Sequence, residues 1–342
     1  MKGKKIRVLH ITDCYDAGVF ASINTLVRAS KGFEHSLLYS GGGQVPESLF
    51  AFAKRYDRSN PFGRILQTWK EIRNFEGEII HLHSTRAGIL GRLLPHKLPI
   101  LYQPHGAHYL DLSVGKSLRL FSKIVEKFLA MQTSGFVGVS HYETRELAKI
   151  CDRVPAFLVT NAIEGSNWPE NNDAGRLHVV MNGRIHKVKD PEFFIATANL
   201  VRKTQPTAKF TWIGDGDPQL KKLLANAGVD VTGWLDSQGV NQILNTATLY
   251  FHSSISDGLA YSILESASHG LPIIARDLPH FEGYDLNVVT DPGGAAQMIL
   301  RVFDDPVFRL RAKRVSVKLS QDNSSRVRET QYRSALTAVL LK

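Results

Sequence analysis

Between Ser253 and Pro272 the chain carries Asp257, then Gly258-Leu259-Ala260, then Glu265 within the helical spacing of Ile263, Leu264 and Ala267, closed by Gly270 and Pro272. A helix opening at Gly258 leaves the backbone N–H groups of Gly258, Leu259 and Ala260 without intrahelical acceptors. The helix macrodipole adds positive potential there, so a diphosphate or a sugar hydroxyl is a natural partner. The carboxylate of Asp257, just ahead of that helix, can orient sugar hydroxyls, and Glu265, about two turns on, can accept hydrogen bonds from a ribose. The same residue types also make an ordinary N-cap and a solvated glutamate. Upstream, Gly183-Arg184 ends an apolar stretch and Lys189 follows five residues after Arg184. Arginine as a two-pronged fork and lysine as a point charge can together neutralise a departing diphosphate. Lys187 offers the same charge, and spacing alone does not choose between it and Lys189. In the first half, the small pair Ala17-Gly18 before a helical pattern admits a phosphate close to the backbone, or is simply a tight turn. His105-Gly106 places an imidazole at another strand end, one of 13 histidines, most of which must be structural.

These residues need strand ends to hold them, and the apolar pattern supplies strands. Short runs at Ile6 to Ile11, Ser36 to Tyr39, Glu78 to Leu82, Ile100 to Gln103, Phe136 to Val139 and Phe157 to Val159 alternate with helical or loop stretches. Strands alternating with helices predict a parallel sheet covered on both faces. Turn formers gather over residues 165–176 and read as a linker, after which a second series begins: Leu177 to Met181, Lys209 to Ile213, Val229 to Val231, Leu249 to His252 and Pro272 to Ala275. The expected architecture is α/β, two doubly wound Rossmann-like domains facing a central cleft that binds ligand at the carboxyl ends of the strands. Their bounds are 1–165 and 166–324, with an amphipathic helix over about 325–342, carrying Val327, Tyr332, Ala335, Leu336 and Val339 inward, that can pack back on the first domain.

At 342 residues two domains are the default, and 43% hydrophobic with 22% charged residues is ordinary for a folded globular chain. Two cysteines, Cys14 and Cys151, make no disulfide framework and no metal-ligand spacing, which fits a reducing, cytoplasmic setting. No apolar stretch reaches the roughly 18 residues of a membrane span, so any membrane association is expected to be peripheral, on the inner face of the cell membrane. The net charge of +10 sits mostly in residues 1–165, where 22 Lys and Arg face 14 Asp and Glu. That excess suits an anionic lipid surface or a phosphate-bearing acceptor; nucleic acid is not expected, because no nucleic-acid-binding motif accompanies it. Lys116, Arg119, Lys123 and Lys127, at offsets 0, 3, 7 and 11, form a basic helix face, with Phe121, Ile124, Val125 and Phe128 on the opposite side. Such a helix packs its apolar side on its domain and turns its charges to a membrane, or is a plain amphipathic surface helix.

Taken in order, these segments resemble the retaining GT-B glycosyltransferases of family four across essentially the whole chain. The resemblance rests on Ala17-Gly18-Val19, His81-Leu82-His83-Ser84, His105-Gly106, Val139-Ser140, Asn161-Ala162-Ile163, Gly183-Arg184 to Lys189, Ile213-Gly214-Asp215-Gly216, and Asp257 to Glu265 with Gly270-Leu271-Pro272. It implies that Arg184 and Lys189 bind the donor diphosphate with help from the Gly18 backbone, that His105 contacts the transferred sugar, and that Glu265 holds the nucleotide ribose. The implied donor is a nucleotide diphosphate sugar, with no cofactor or metal. The implied acceptor is lipid-linked or a saccharide, in cell-surface polysaccharide or lipopolysaccharide synthesis. Asp257 stands where that family usually has a glutamate and is shorter by about 1.5 Å; a displacement near 1 Å can cost on the order of a hundredfold in rate. Two other readings share the architecture: a sugar-nucleotide epimerase, and a non-catalytic sugar-nucleotide or glycan-binding homologue.

Overall fold

A computed structural model describes residues 5–57, 59–163 and 175–341. In the first half, apolar runs form β1 (Ile6–Thr12), β2 (Phe33–Tyr39), β3 (Ala53–Arg55), β4 (Ile79–His83), β5 (Ile100–Gln103), β6 (Gly135–Gly138) and β7 (Ala156–Leu158). All pair in parallel, in the order β3-β2-β1-β4-β5-β6-β7. Leu9, Ile11, Ile80, Leu82 and Ile100 are fully or almost fully buried, as strands covered on both faces require. Strand order reverses at β1, which lies between β2 and β4, the kind of switch point where ligands bind open α/β sheets.

The second half repeats the design with β8 (His178–Asn182), β9 (Lys209–Ile213), β10 (Asp230–Val231), β11 (Leu249–His252), β12 (Ile273–Arg276) and β13 (Asn287–Val289). Again every pairing is parallel, in the order β10-β9-β8-β11-β12-β13. Four helices here open on Asp-Pro: the side chains of Asp190, Asp217, Asp291 and Asp305 each accept a first-turn N–H while the following proline occupies a position that has no amide proton to lose. Trp212 and Phe194 pack edge-to-face with ring centroids 5.3 Å apart and, with Phe210 and Phe251, fill one face of this sheet.

The chain divides into two compact units, Met1–Ala162 with Ser324–Lys342, and Ile163–Asn323. The C-terminal helix Ser325–Leu340 thus belongs to the first unit, where Tyr332, Ala335, Leu336 and Val339 pack with Val8, Leu26, Ile79, Leu101 and Val137. Val327, expected to face inward, is only half-buried, whereas Arg328 beside it is fully buried and donates to Thr25 Oγ1 and, over 2.7 Å, to Ser22 Oγ. Residues 165–174 of the expected linker lie outside the described residues.

Candidate active site

In the second unit the site residues gather where β8 and β11 end. Past β8 the chain runs through Gly183-Arg184-Ile185, and the loop after β9 clamps it: Gly183 N donates to Ile213 O (2.9 Å), Ile185 N to Asp215 O (2.9 Å) and Asp217 N to Ile185 O (2.9 Å). A Cβ on Gly214 would lie 2.3 Å from Gly183 O, and one on Gly216 2.1 Å from Ile185 O, so only glycine allows the approach. With Ile185 buried as the anchor, Arg184 is left exposed, and it makes no ion pair with any described residue.

Lys189 ends a short 3-10 turn, Lys187–Lys189, that is tied to the next loop by Ile255 N donating to Val188 O (2.9 Å) and Ser253 Oγ donating to Lys189 O (2.7 Å). Its ammonium forms an ion pair with Asp257, both side chains about one-fifth exposed. The open choice between Lys187 and Lys189 is thereby narrowed: Lys187 is exposed, and Lys189 is the one fixed against an acidic partner. Asp257 Oδ2 also lies 3.2 Å from His252 Nε2 and accepts from Ser254 Oγ at 3.4 Å. Burial pushes the Asp257 carboxyl up, but the Lys189 charge and the His252 contact outweigh it and hold it well below the usual carboxylate range. Lys189 is therefore a charge kept in place by a carboxylate.

The helix of this site is Tyr261–Ser268, so Gly258, Leu259 and Ala260 precede it instead of forming its first turn. The correction has a local cause: Asp257 is tied back to Lys189, and Ala260 O becomes the first helical acceptor, taking Ile263 N at 3.1 Å. Unlike the four Asp-Pro helices, this one has no side-chain cap. Glu265 lies within it, its Oε2 accepting from Asn182 Nδ2 at 3.1 Å, and Tyr250 continues the network with its hydroxyl 2.9 Å from Ser262 Oγ and 3.2 Å from His252 Nδ1. Asn182, Tyr250 and His252 went unnoticed at the level of sequence because each sits inside an apolar strand.

Burial raises the Glu265 carboxyl to about 7, against a smaller lowering by Asn182. The folded state holds this proton more tightly than the unfolded chain, so ionising Glu265 costs stability as pH rises from about 4.5 to about 7. Glu265→Gln removes that cost. The melting temperature of E265Q minus that of the wild type is expected to grow with pH across this window, by on the order of 5 °C at pH 8. A pH-independent difference in paired thermal melts would refute the assignment.

In the first unit Gly18 falls in the opening turn of helix Ala17–Ala29, not in the turn expected before it, and nothing stands within 4 Å of where its Cβ would be. His105 follows β5 with φ 56°, and Ser84 at the end of β4 has φ 70°. Such left-handed conformations at non-glycine residues cost about 1–3 kcal/mol each and gather at functional sites. Glu143 holds the His105 loop: its fully buried carboxylate accepts Gly106 N (2.9 Å) and Val139 N (2.8 Å). His105 Nε2 lies 3.0 Å from His83 Nδ1, the first link of a buried histidine row.

His10, His81 and His83 bring one ring nitrogen each within 4.8 Å of the others, a spacing that could hold a metal ion. Two observations oppose that use. Both nitrogens of His10 already face ring nitrogens of His83 and His35 at 2.9 Å, and burial first, then the neighbouring rings and the Arg328 guanidinium, disfavours positive charge on all three rings.

Helix Lys116–Leu129 differs from expectation. It buries Glu126, held by Arg92 at 2.8 Å, and Leu129, while Phe121, Ile124 and Phe128 are 61%, 58% and 68% exposed. Arg119 turns back to donate to Tyr109 O (3.1 Å), leaving Lys116, Lys123 and Lys127 along the edge of the apolar face. Periodicity separated the two faces correctly, but the buried Arg92–Glu126 pair turns a third face inward.

In the second unit a lysine paired with Asp257, an exposed arginine, a helix without a side-chain cap and a half-buried glutamate lie near one set of strand ends, an arrangement that can hold a phosphorylated ligand. Family comparison agrees: residues 18–164 match Glycosyltransferase Family 4 and residues 176–305 match Glycosyl transferases group 1, and the chain belongs to this family, whose members have the GT-B fold. Among its relatives, the Escherichia coli UDP-Gal:alpha-D-GlcNAc-diphosphoundecaprenol alpha-1,3-galactosyltransferase is 24% identical over 75% of this chain and 74% of its own. The crystal structure of Anabaena HepE in complex with UDP superposes with TM-score 0.78 at 13% identity, covering 97% of this chain and all of that one. A putative UDP-N-acetylglucosamine 2-epimerase from Listeria monocytogenes superposes with TM-score 0.69 at 12% identity, over 98% of this chain and 96% of that one. Shape alone therefore fits transferases and epimerases alike; family membership is what marks the chain as a glycosyltransferase.

Proposed function

We propose that the protein transfers a sugar, with retention at the anomeric carbon and without a metal, from a nucleotide diphosphate sugar to a lipid-linked saccharide acceptor at an anionic membrane surface. The observation that carries the donor side is the Lys189–Asp257 ion pair beside the uncapped helix Tyr261–Ser268. Lys189 and Arg184 stabilise charge on the departing diphosphate, with the Gly258 and Ala260 backbone as further donors. Glu265 accepts from ribose hydroxyls, and Asp257 and His105 orient the transferred sugar. The departing phosphate oxygen takes the acceptor's proton, so no protein nucleophile enters. The acceptor side rests on helix Lys116–Leu129, whose exposed Phe121, Ile124 and Phe128 beside Lys123 and Lys127 match an interfacial helix. No described helix is long and apolar enough to cross a membrane.

Nucleotide release tests this directly. With a lipid-diphosphate-linked sugar in anionic vesicles, release is expected to depend on acceptor, and Phe121→Ser with Phe128→Ser should lower it about tenfold in vesicles while leaving detergent-dispersed acceptor unaffected. Conversion of donor without any acceptor would instead indicate epimerase chemistry. Donor binding with no turnover on any acceptor would indicate a binding homologue.

A further inference from the structure

Four histidines of the first unit lie in a line across four neighbouring strands. His35 on β2 pairs in register with Val8, two residues before His10 on β1. Thr12, two residues after His10, pairs with His83 on β4, and His83 pairs with Gln103 on β5, two residues before His105. Each step advances two residues, which keeps the His35, His10 and His83 rings on one face of the sheet, and the loop after β5 brings His105 to the end of their row. The ring nitrogens meet end to end: His105 Nε2 to His83 Nδ1 at 3.0 Å, His83 Nε2 to His10 Nδ1 at 2.9 Å, and His10 Nε2 to His35 Nδ1 at 2.9 Å. His35 Nε2 then reaches Ser30 Oγ at 3.0 Å and Ser30 O at 3.4 Å.

The Ser30 end fixes the direction. Ser30 Oγ and Leu26 O are 2.5 Å apart, and since a carbonyl carries no proton, the serine hydroxyl must donate there. Ser30 Oγ can then only accept from His35, so the His35 proton is on Nε2 and its Nδ1 is a lone pair. His10 must donate into that lone pair from Nε2, His83 into His10, and His105 into His83. We propose that this row, closed by Ser30, holds His105 as the neutral tautomer protonated on Nε2, so that its remaining nitrogen, Nδ1, can only accept a hydrogen bond, as from a sugar hydroxyl.

The surroundings keep the row neutral. Burial first, then the Arg328 charge, lowers the His105 ring to about 3, and burial lowers His35 to about 4. His81, 3.1 Å from the Tyr332 hydroxyl, packs beside His10 and His83 and is itself held neutral. Ser30 is fully buried, so the far end opens to no solvent and the row polarises His105 without conducting protons away. His83, His10 and His35 are thus positioning residues. The sugar hydroxyl as donor rests on the transferase reading; the tautomer does not.

Two-bond proton–nitrogen NMR on the full chain labelled with nitrogen-15 histidine reads each ring. At pH 7 all four rings are expected to be neutral and Nε2-protonated. His35→Phe removes the anchor and should turn His105 into a mixture of tautomers, three residues away along the row, with kcat down about tenfold and donor KM little changed. In His35→Gln the carboxamide can accept from His10 and donate to Ser30, and it should restore both. A wild-type His105 protonated on Nδ1, an unchanged His105 tautomer in folded His35→Phe, or a stoichiometric metal on His10 and His83 would overturn the proposal. If the tautomers are as expected but the wild type releases no nucleotide, it is the transferase reading that fails.

Discussion

Replacing Lys189 with alanine is expected to lower acceptor-dependent kcat by on the order of a hundred- to a thousandfold, the scale of removing one preorganised group that faces developing charge. Lys189 is held by its backbone, through the Ser253 Oγ and Ile255 N bonds, and by its side chain, through Asp257. On the proposed reading, little reorganisation is left to do when the diphosphate departs. Lys189→Arg should recover only part of the rate, because a planar fork cannot occupy the position of a point charge against Asp257. Lys187→Ala is the control, and steady-state kinetics should find it within about threefold of wild type, as expected of an exposed lysine. Equal losses at both positions would mean that the ion pair does not single out the functional lysine.

Ending the chain at Asn323 is expected to unfold the first unit and spare the second. The deleted helix buries Tyr332, Leu336 and Val339 against β1, β4, β5 and β6, each contributing about 1.5–3 kcal/mol. It also carries the Arg328 bonds to Ser22 and Thr25. Their sum rivals the roughly 5–15 kcal/mol stability of a whole domain. Calorimetry of the truncated chain should show one transition, from the second unit, where the full chain shows two; Tyr332→Ala should lower the first by about 3–5 kcal/mol. A truncated chain retaining both transitions would contradict the assignment of this helix to the first unit.

The strands were legible because parallel, doubly covered strands are short apolar runs: Ile100–Gln103, Lys209–Ile213 and Leu249–His252 are found as expected. β3 was missed because Ala53-Lys54-Arg55 is an edge strand with two charges, and β13 because Asn287-Val288-Val289 is too short for a pattern to emerge. Arg184 and Lys189 were legible as types past a strand end, and Glu265 as a carboxylate within a helix. The Lys189–Asp257 pair, 68 residues apart in sequence, was not, since only the adjacency of β8 and β11 joins the two loops. The histidine row left two readable traces, His83 in an apolar strand and His105 just past another. Its continuation through His10 and His35 depends on register, which a single chain does not display. The exposed apolar face of helix Lys116–Leu129 was hidden for a further reason: spacing defines faces but not which one the core receives.

The account depends on a pyrophosphate being held at the strand ends of the second unit. Titrating nucleoside diphosphates into the full chain and into Arg184→Ala and Lys189→Ala by calorimetry tests this most directly. The expected result is saturable one-to-one binding by the wild type, weakened on the order of tenfold or more in each folded variant. Wild-type affinity retained in both variants would contradict it.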